Sequence, residues 1–169
     1  MPPSLAIDPD RFLDLSRSDP LTRAEGEAAW ESAYAQLEDV LSGCKGEATL
    51  YVVYGIQAGG KSWWVGEALK RSLGNEVFFS GPLPSPRHRQ RAVALAKAYG
   101  CKAVAIWIKT PMEVCLARNA VRKGRARVPE QVMQHVEESL EPASVEEGFS
   151  ETIVVELNPD ENARSALPL

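Results

Sequence analysis

The chain has 169 residues, 44% of them hydrophobic and 25% charged, with a formal net charge of −4. That suits one globular domain with a sizeable core and excludes a broadly basic surface, so any nucleic-acid contact has to be a local patch. The three cysteines, Cys44, Cys101 and Cys115, fit no metal spacing, and His88 and His135 are too few for a histidine-rich metal centre.

No apolar run is long enough to span a bilayer, and Met1-Pro2-Pro3 opens no signal-peptide pattern. A cytoplasmic protein with reduced thiols and no membrane contact is expected. Residues 1–20, with Pro2, Pro3, Pro9 and Pro20, read as an irregular arm. Thr22 and Glu25 form a capping box, followed by Trp30, Tyr34, Leu37 and Leu41 at helical spacing. An amphipathic helix should therefore run to about Gly43. Its aromatic stripe is either a face packed on the chain's own core, the default for a one-sided stripe, or a surface for a protein partner.

Leu50–Tyr54 is apolar and rich in β-branched and aromatic residues, as a central parallel strand should be. It runs into Gly55-Ile56-Gln57-Ala58-Gly59-Gly60-Lys61-Ser62, a complete Gly-x4-Gly-Lys-Ser pattern, and then into a helix carrying Val65, Ala68, Leu69 and Leu73. Polyphosphates need converging backbone N–H groups, which bulky side chains would obstruct. Glycines allow that approach, and a helix N-terminus adds its unpaired N–H groups. Strand, loop and helix in this order predict a nucleotide site formed by residues 55–62, with Lys61 along the β- and γ-phosphates of ATP and the Ser62 hydroxyl on Mg²⁺. Trp63 and Trp64 read as anchors of that helix rather than base-stacking residues.

Further strands are predicted over Glu76–Ser80, Ala103–Ile108 and Thr152–Leu157, with intervening helices from Ser85-Pro86, from Thr110-Pro111 with Thr110 and Glu113 as a capping box, and from Pro129. Alternating strands and helices imply an α/β fold, with a small parallel sheet of about four strands and helices on both faces. Residues 1–45 would pack on the domain as arm and helix, residues 46–158 would form the nucleotide-binding domain, and 159–169 a tail. Arg118, Arg122 and Arg125 recur at i, i+4 and i+7, with Arg127 just past Gly124. They form either a solvated basic face or a lid over a triphosphate, and the phosphate loop favours the lid. Arg87, His88, Arg89 and Arg91 crowd a helix start, where cations oppose the helix dipole. Arg87 and Arg89, with Ser80, would meet an anionic acceptor, or else the arginines pair with glutamates elsewhere.

The run from Thr110-Pro111 through Arg118-Asn119, Arg122, Arg127, Val128-Pro129-Glu130 and Glu147-Gly148-Phe149, together with Gly55–Ser62, resembles polynucleotide-kinase-like P-loop kinases over about residues 49–157. The resemblance implies a P-loop NTPase fold. It also implies transfer of the γ-phosphate of Mg-ATP to a hydroxyl, on a polynucleotide 5′ end or a small molecule, with Lys61, Arg118, Arg122 and Arg127 stabilising charge. Such kinases carry a strand-end Asp as general base. Here one β-α unit is missing, the corresponding strand ends in Ser80, and no aspartate lies between Val40 and Pro159. Glu67, Glu47 or a carboxylate of the N-terminal arm would have to take that role. Without one, the chain would be a nucleotide-binding regulatory or assembly protein or a slow NTPase.

Overall fold

The computed structural model describes residues 4–157, so the tail expected over 159–169 lies outside the described residues. Five parallel strands form one sheet: β1 (Leu5–Ile7), β2 (Thr49–Tyr54), β3 (Glu76–Gly81), β4 (Lys102–Lys109) and β5 (Glu151–Glu156), in the spatial order β1-β3-β2-β4-β5. Among the described residues five α-helices accompany them: α1 (Arg23–Gly43), α2 (Lys61–Arg71), α3 (Pro86–Ala98), α4 (Met112–Ala120) and α5 (Glu130–Glu138). The α/β architecture is the one expected. The fifth strand is a correction, because it comes from the arm read as irregular. Leu5, Ala6 and Ile7 pair with Val77, Phe78 and Phe79, so β1 forms the sheet edge beside β3.

Strand alternation divides the core. Leu50, Val52, Tyr54, Val77, Phe79, Ala103 and Ala105 face α1 and α3, meeting Tyr34, Leu37, Leu41, Ala92, Val93 and Ala96. Val53, Phe78, Val104, Ile106 and Ile108 face the other way, onto Val65 and the flanking Trp63, Trp64 and Ala68 of α2. The stripe of α1 is thus core, with Leu37 and Leu41 fully buried. Its capping box is formed as expected: the Glu25 amide donates to Thr22 Oγ1, and the Thr22 amide donates to the Glu25 carboxylate. Among the described residues no helix is long and apolar enough to cross a membrane.

From β2 the chain proceeds through α2 to β3 on one side and then returns to β4 on the other. The order reverses at β2, and in open parallel sheets the ligand crevice lies at the carboxyl ends beside such a reversal. Parallel pairing also fixes where the arm goes. Ile7 is level with Phe79, so the next residue, Asp8, emerges at the carboxyl edge level with Ser80.

Candidate functional site

A cavity of about 680 Å³ opens at that edge. One wall is the loop and helix start from Gln57 to Trp63, and the other carries Asp8, Pro9, Asp10, Trp30, Gly81 and Pro82. Arg118, Val121, Arg122 and Val128 complete its rim.

The loop wall is held by backbone geometry. Gly55 has φ +147°, and a Cβ there would stand 2.5 Å from the Ile108 carbonyl oxygen, so only glycine fits. Gly60, at φ +100°, turns the chain into α2. Ala58 adopts φ +60° without being glycine, a conformation that the surroundings must hold in place. They do: the Thr110 hydroxyl donates to Gly59 O at 2.6 Å, and Arg118 Nη1 donates to Ala58 O at 3.1 Å. Thr110 was expected to cap α4. Instead Pro111 stands at that helix's N-cap, and the hydroxyl ties the end of β4 to the loop.

Lys61 Nζ donates to Gly55 O and Ile56 O, both at 2.8 Å. Burial pushes the ammonium down to about 8, and the negative charge of Asp8 opposes that shift. The first-turn amides of α2 have no acceptor within the helix. Two buried polar atoms at the cavity also lack a hydrogen-bond partner, Arg118 Nη2 and Gln57 Oε1. A cradle of free amides, an ammonium and an orphaned guanidinium N–H fits a polyphosphate. Mg²⁺ fits the Ser62 hydroxyl in this wall, since the metal retains several waters and needs few protein ligands.

The arm wall is acidic. Asp8 caps a 3-10 turn over Pro9–Phe12, its Oδ1 accepting from the Asp10 amide at 2.9 Å. Burial raises the Asp8 carboxyl above the ordinary carboxylate value, with the Asp10 amide and the Lys61 charge acting against that rise. Trp30 reaches the wall from α1, packed at a tilt against Tyr34 and edge-on to Phe79. Gly81 makes room for it, since a Cβ there would meet the indole at 2.5 Å.

Several sequence expectations need correcting. Ser80 is buried, with its Oγ unpartnered, and the β3 end contributes Gly81 and Pro82 to the cavity instead. Alternation puts Ser80 with Phe78 on the α2 face. Arg89 is fully buried. It makes a two-pronged pair with Glu147 at 2.8 and 2.9 Å, donates to Leu83 O and Glu141 O, and stacks over Tyr54. Arg89 is therefore a brace between α3 and the 140s, not an acceptor contact. Arg87 is exposed and outside the cavity lining.

The expected lid divides as well. α4 stops at Ala120, so the helical phase that aligned Arg118, Arg122 and Arg125 is lost. Arg118 and Arg122 reach the cavity. Arg125 turns to Asp19 and Glu25, and Arg127 is exposed outside the lining. Gly124, at φ +57°, lets the backbone at Arg17 pass close by. The residue that sequence reasoning left unassigned is Asp8. It was covered only by the general expectation of an arm carboxylate, and the apolar run Leu5-Ala6-Ile7 before it was the signal that could have singled it out.

A family model described as an AAA domain matches residues 68–143, and no curated protein matches the chain. The matched stretch runs from within α2 to just past α5 and holds Arg118 and Arg122, but it begins after the glycine loop. Sequence likeness and cradle geometry are thus separate observations: the first is a likeness to an AAA domain over less than half of the chain, and the second is a loop wall that fits a polyphosphate.

Proposed function

We infer that the protein is a P-loop phosphotransferase that moves the γ-phosphate of Mg-ATP to a hydroxyl acceptor, with Asp8 as general base. The observation that carries this reading is the position of Asp8. It lines the same cavity as Lys61, at the carboxyl edge, level with the strand end where the carboxylate was missing. A regulatory ATP-binding protein or a slow NTPase gained its support from that missing carboxylate, and Asp8 takes most of that support away.

The chain's own groups divide the work. The residue 55–62 backbone and the first turn of α2 hold the phosphates, and Lys61 exchanges its two loop carbonyls for phosphate oxygens. Arg118, already tied to Ala58 O, turns its unpartnered Nη2 toward the transferring group, and Arg122 adds charge from the rim. The Mg²⁺ on the Ser62 hydroxyl would neutralise charge developing on the phosphates. Asp8 accepts the acceptor's hydroxyl proton as that oxygen bonds to the γ-phosphorus. The bond from phosphorus to the β,γ-bridging oxygen breaks, and its electron pair leaves with ADP. A carboxylate raised by burial suits a base that works near neutral pH.

The test compares wild type with Asp8→Asn at saturating Mg-ATP, reading phosphate release and phosphate transfer together with ATP affinity. Turnover should fall by about 10²–10⁴, the usual contribution of acid–base help, with ATP affinity held within about twofold. Equal turnover for the two proteins would remove Asp8 from the mechanism.

A further inference from the structure

Basic residues near a kinase site invite a nucleic-acid acceptor, so their engagements decide the acceptor class. Arg89 is consumed by Glu147 inside the fold. Arg91 is held by Glu31 at 2.6 Å and lies over the Tyr34 ring. Arg125 is held by Asp19 and Glu25 at 2.8 and 3.0 Å, and Arg17 by Asp19 at 2.6 Å. None of these guanidiniums lines the cavity. Its cations, Lys61, Arg118 and Arg122, stand with the phosphate loop.

The wall facing them has the opposite character. Asp8 and Asp10 supply negative charge, and Trp30 supplies an aromatic surface flanked by Pro9 and Pro82. On the loop side Gln57 Oε1 is an orphaned acceptor and Arg118 Nη2 an orphaned donor, whereas the arm side presents two carboxylates and no cation in its lining. The cavity therefore asks for phosphate at one end and for a hydrogen-bond-donating, non-anionic group at the other. A polynucleotide 5′ end would bring its own phosphates against Asp8 and Asp10, and Arg11, the cation beside Asp8, lies outside the cavity lining.

We propose that the acceptor is a small hydroxylated amine, an amino sugar or amino alcohol, whose ammonium is drawn by Asp10 and whose apolar face lies on Trp30, leaving its hydroxyl beside Asp8. This inference rests on the phosphotransferase reading and narrows it.

The experiment offers wild type radiolabelled γ-phosphate from ATP with glucosamine, an aminoglycoside, glucose or a 5′-hydroxyl dT10 as acceptor, and measures ATP affinity on the same samples. The amino compounds should be labelled at least tenfold faster than glucose, and the oligonucleotide not above background. Asp10→Lys should raise KM for the amino compounds about tenfold or more with little change in kcat, and Trp30→Leu should raise it by less. Labelling of dT10 ahead of the amines overturns the proposal, as does tight ATP binding with no labelled amine. Absence of ATP binding would instead sink the phosphotransferase reading beneath it.

Discussion

The two walls of the cleft are built in different ways. The loop wall comes from one contiguous stretch, Gln57–Trp63, and its shape is set by glycine backbone and by Thr110 and Arg118 holding carbonyl oxygens. The arm wall joins a three-residue strand, a helix residue more than twenty positions later and the end of β3. One wall is basic and built of backbone, and the other is acidic and aromatic. A ligand grip can be carried by a local motif, whereas a reacting group held against it depends on non-local strand pairing. Changes on the first wall should act on nucleotide affinity, and changes on the second on turnover or acceptor use.

The largest effect should come from a residue that belongs to neither wall. Arg89→Met leaves the Glu147 carboxylate, 10% exposed, without its partner, and removing one member of a buried pair costs about 3–5 kcal/mol. Urea denaturation should show that loss, while ATP affinity of the folded fraction stays at the wild-type value. An arginine on the acceptor wall would behave the other way, with stability kept and acceptor KM raised. Ile7→Ala comes next. Ile7 is fully buried in the α1 core, and truncation should cost about 2–5 kcal/mol. Because the same strand sets Asp8, turnover at low temperature should drop more than ATP affinity. Equal losses in both would mean that the walls are not separable.

The smallest effect concerns the tie between the arm and the Gly124 turn. Hydrogen bonds from the Thr22 amide and hydroxyl, followed by Arg125, hold the Glu25 carboxyl down at about 2, against an ordinary value of 4.5. A depressed carboxylate stabilises the fold above its unfolded value and loses that contribution as pH falls through the folded one. Wild-type stability should therefore decline between pH 4.5 and about 2, and Glu25→Gln should show a flatter profile there. The same slope in both proteins would assign the acid sensitivity to other groups.

The asymmetry between the walls also explains what could be read in the sequence. Gly55–Ser62 was legible because sterics confine that conformation to a few residue types, so the pattern carries its own geometry. The α1 stripe and the strands β2 to β5 were legible from periodicity. β1 was not: Leu5-Ala6-Ile7 is too short for a period and lies among prolines, and it becomes a strand only because β3 offers an open edge. Asp8 was consequently one of several arm carboxylates without a position. Local rules also misassigned side chains that tertiary partners claimed. Thr110 resembled a helix cap until the Gly59 carbonyl took its hydroxyl. Arg125 shared a helical face only while α4 was assumed to continue, and Arg89 gave no hint that Glu147, far along the chain, would bury it.

The most direct test of the central claim is calorimetric titration of Mg-ATP into wild type, Lys61→Ala and Asp8→Asn under one set of conditions. Removing a charged donor from a phosphate should cost at least ~2 kcal/mol, so Lys61→Ala should bind roughly thirtyfold more weakly or worse. Asp8→Asn should bind as tightly as wild type, or slightly more tightly for having lost a negative charge near the phosphates. Equal affinity for Lys61→Ala and wild type would contradict the account at its base.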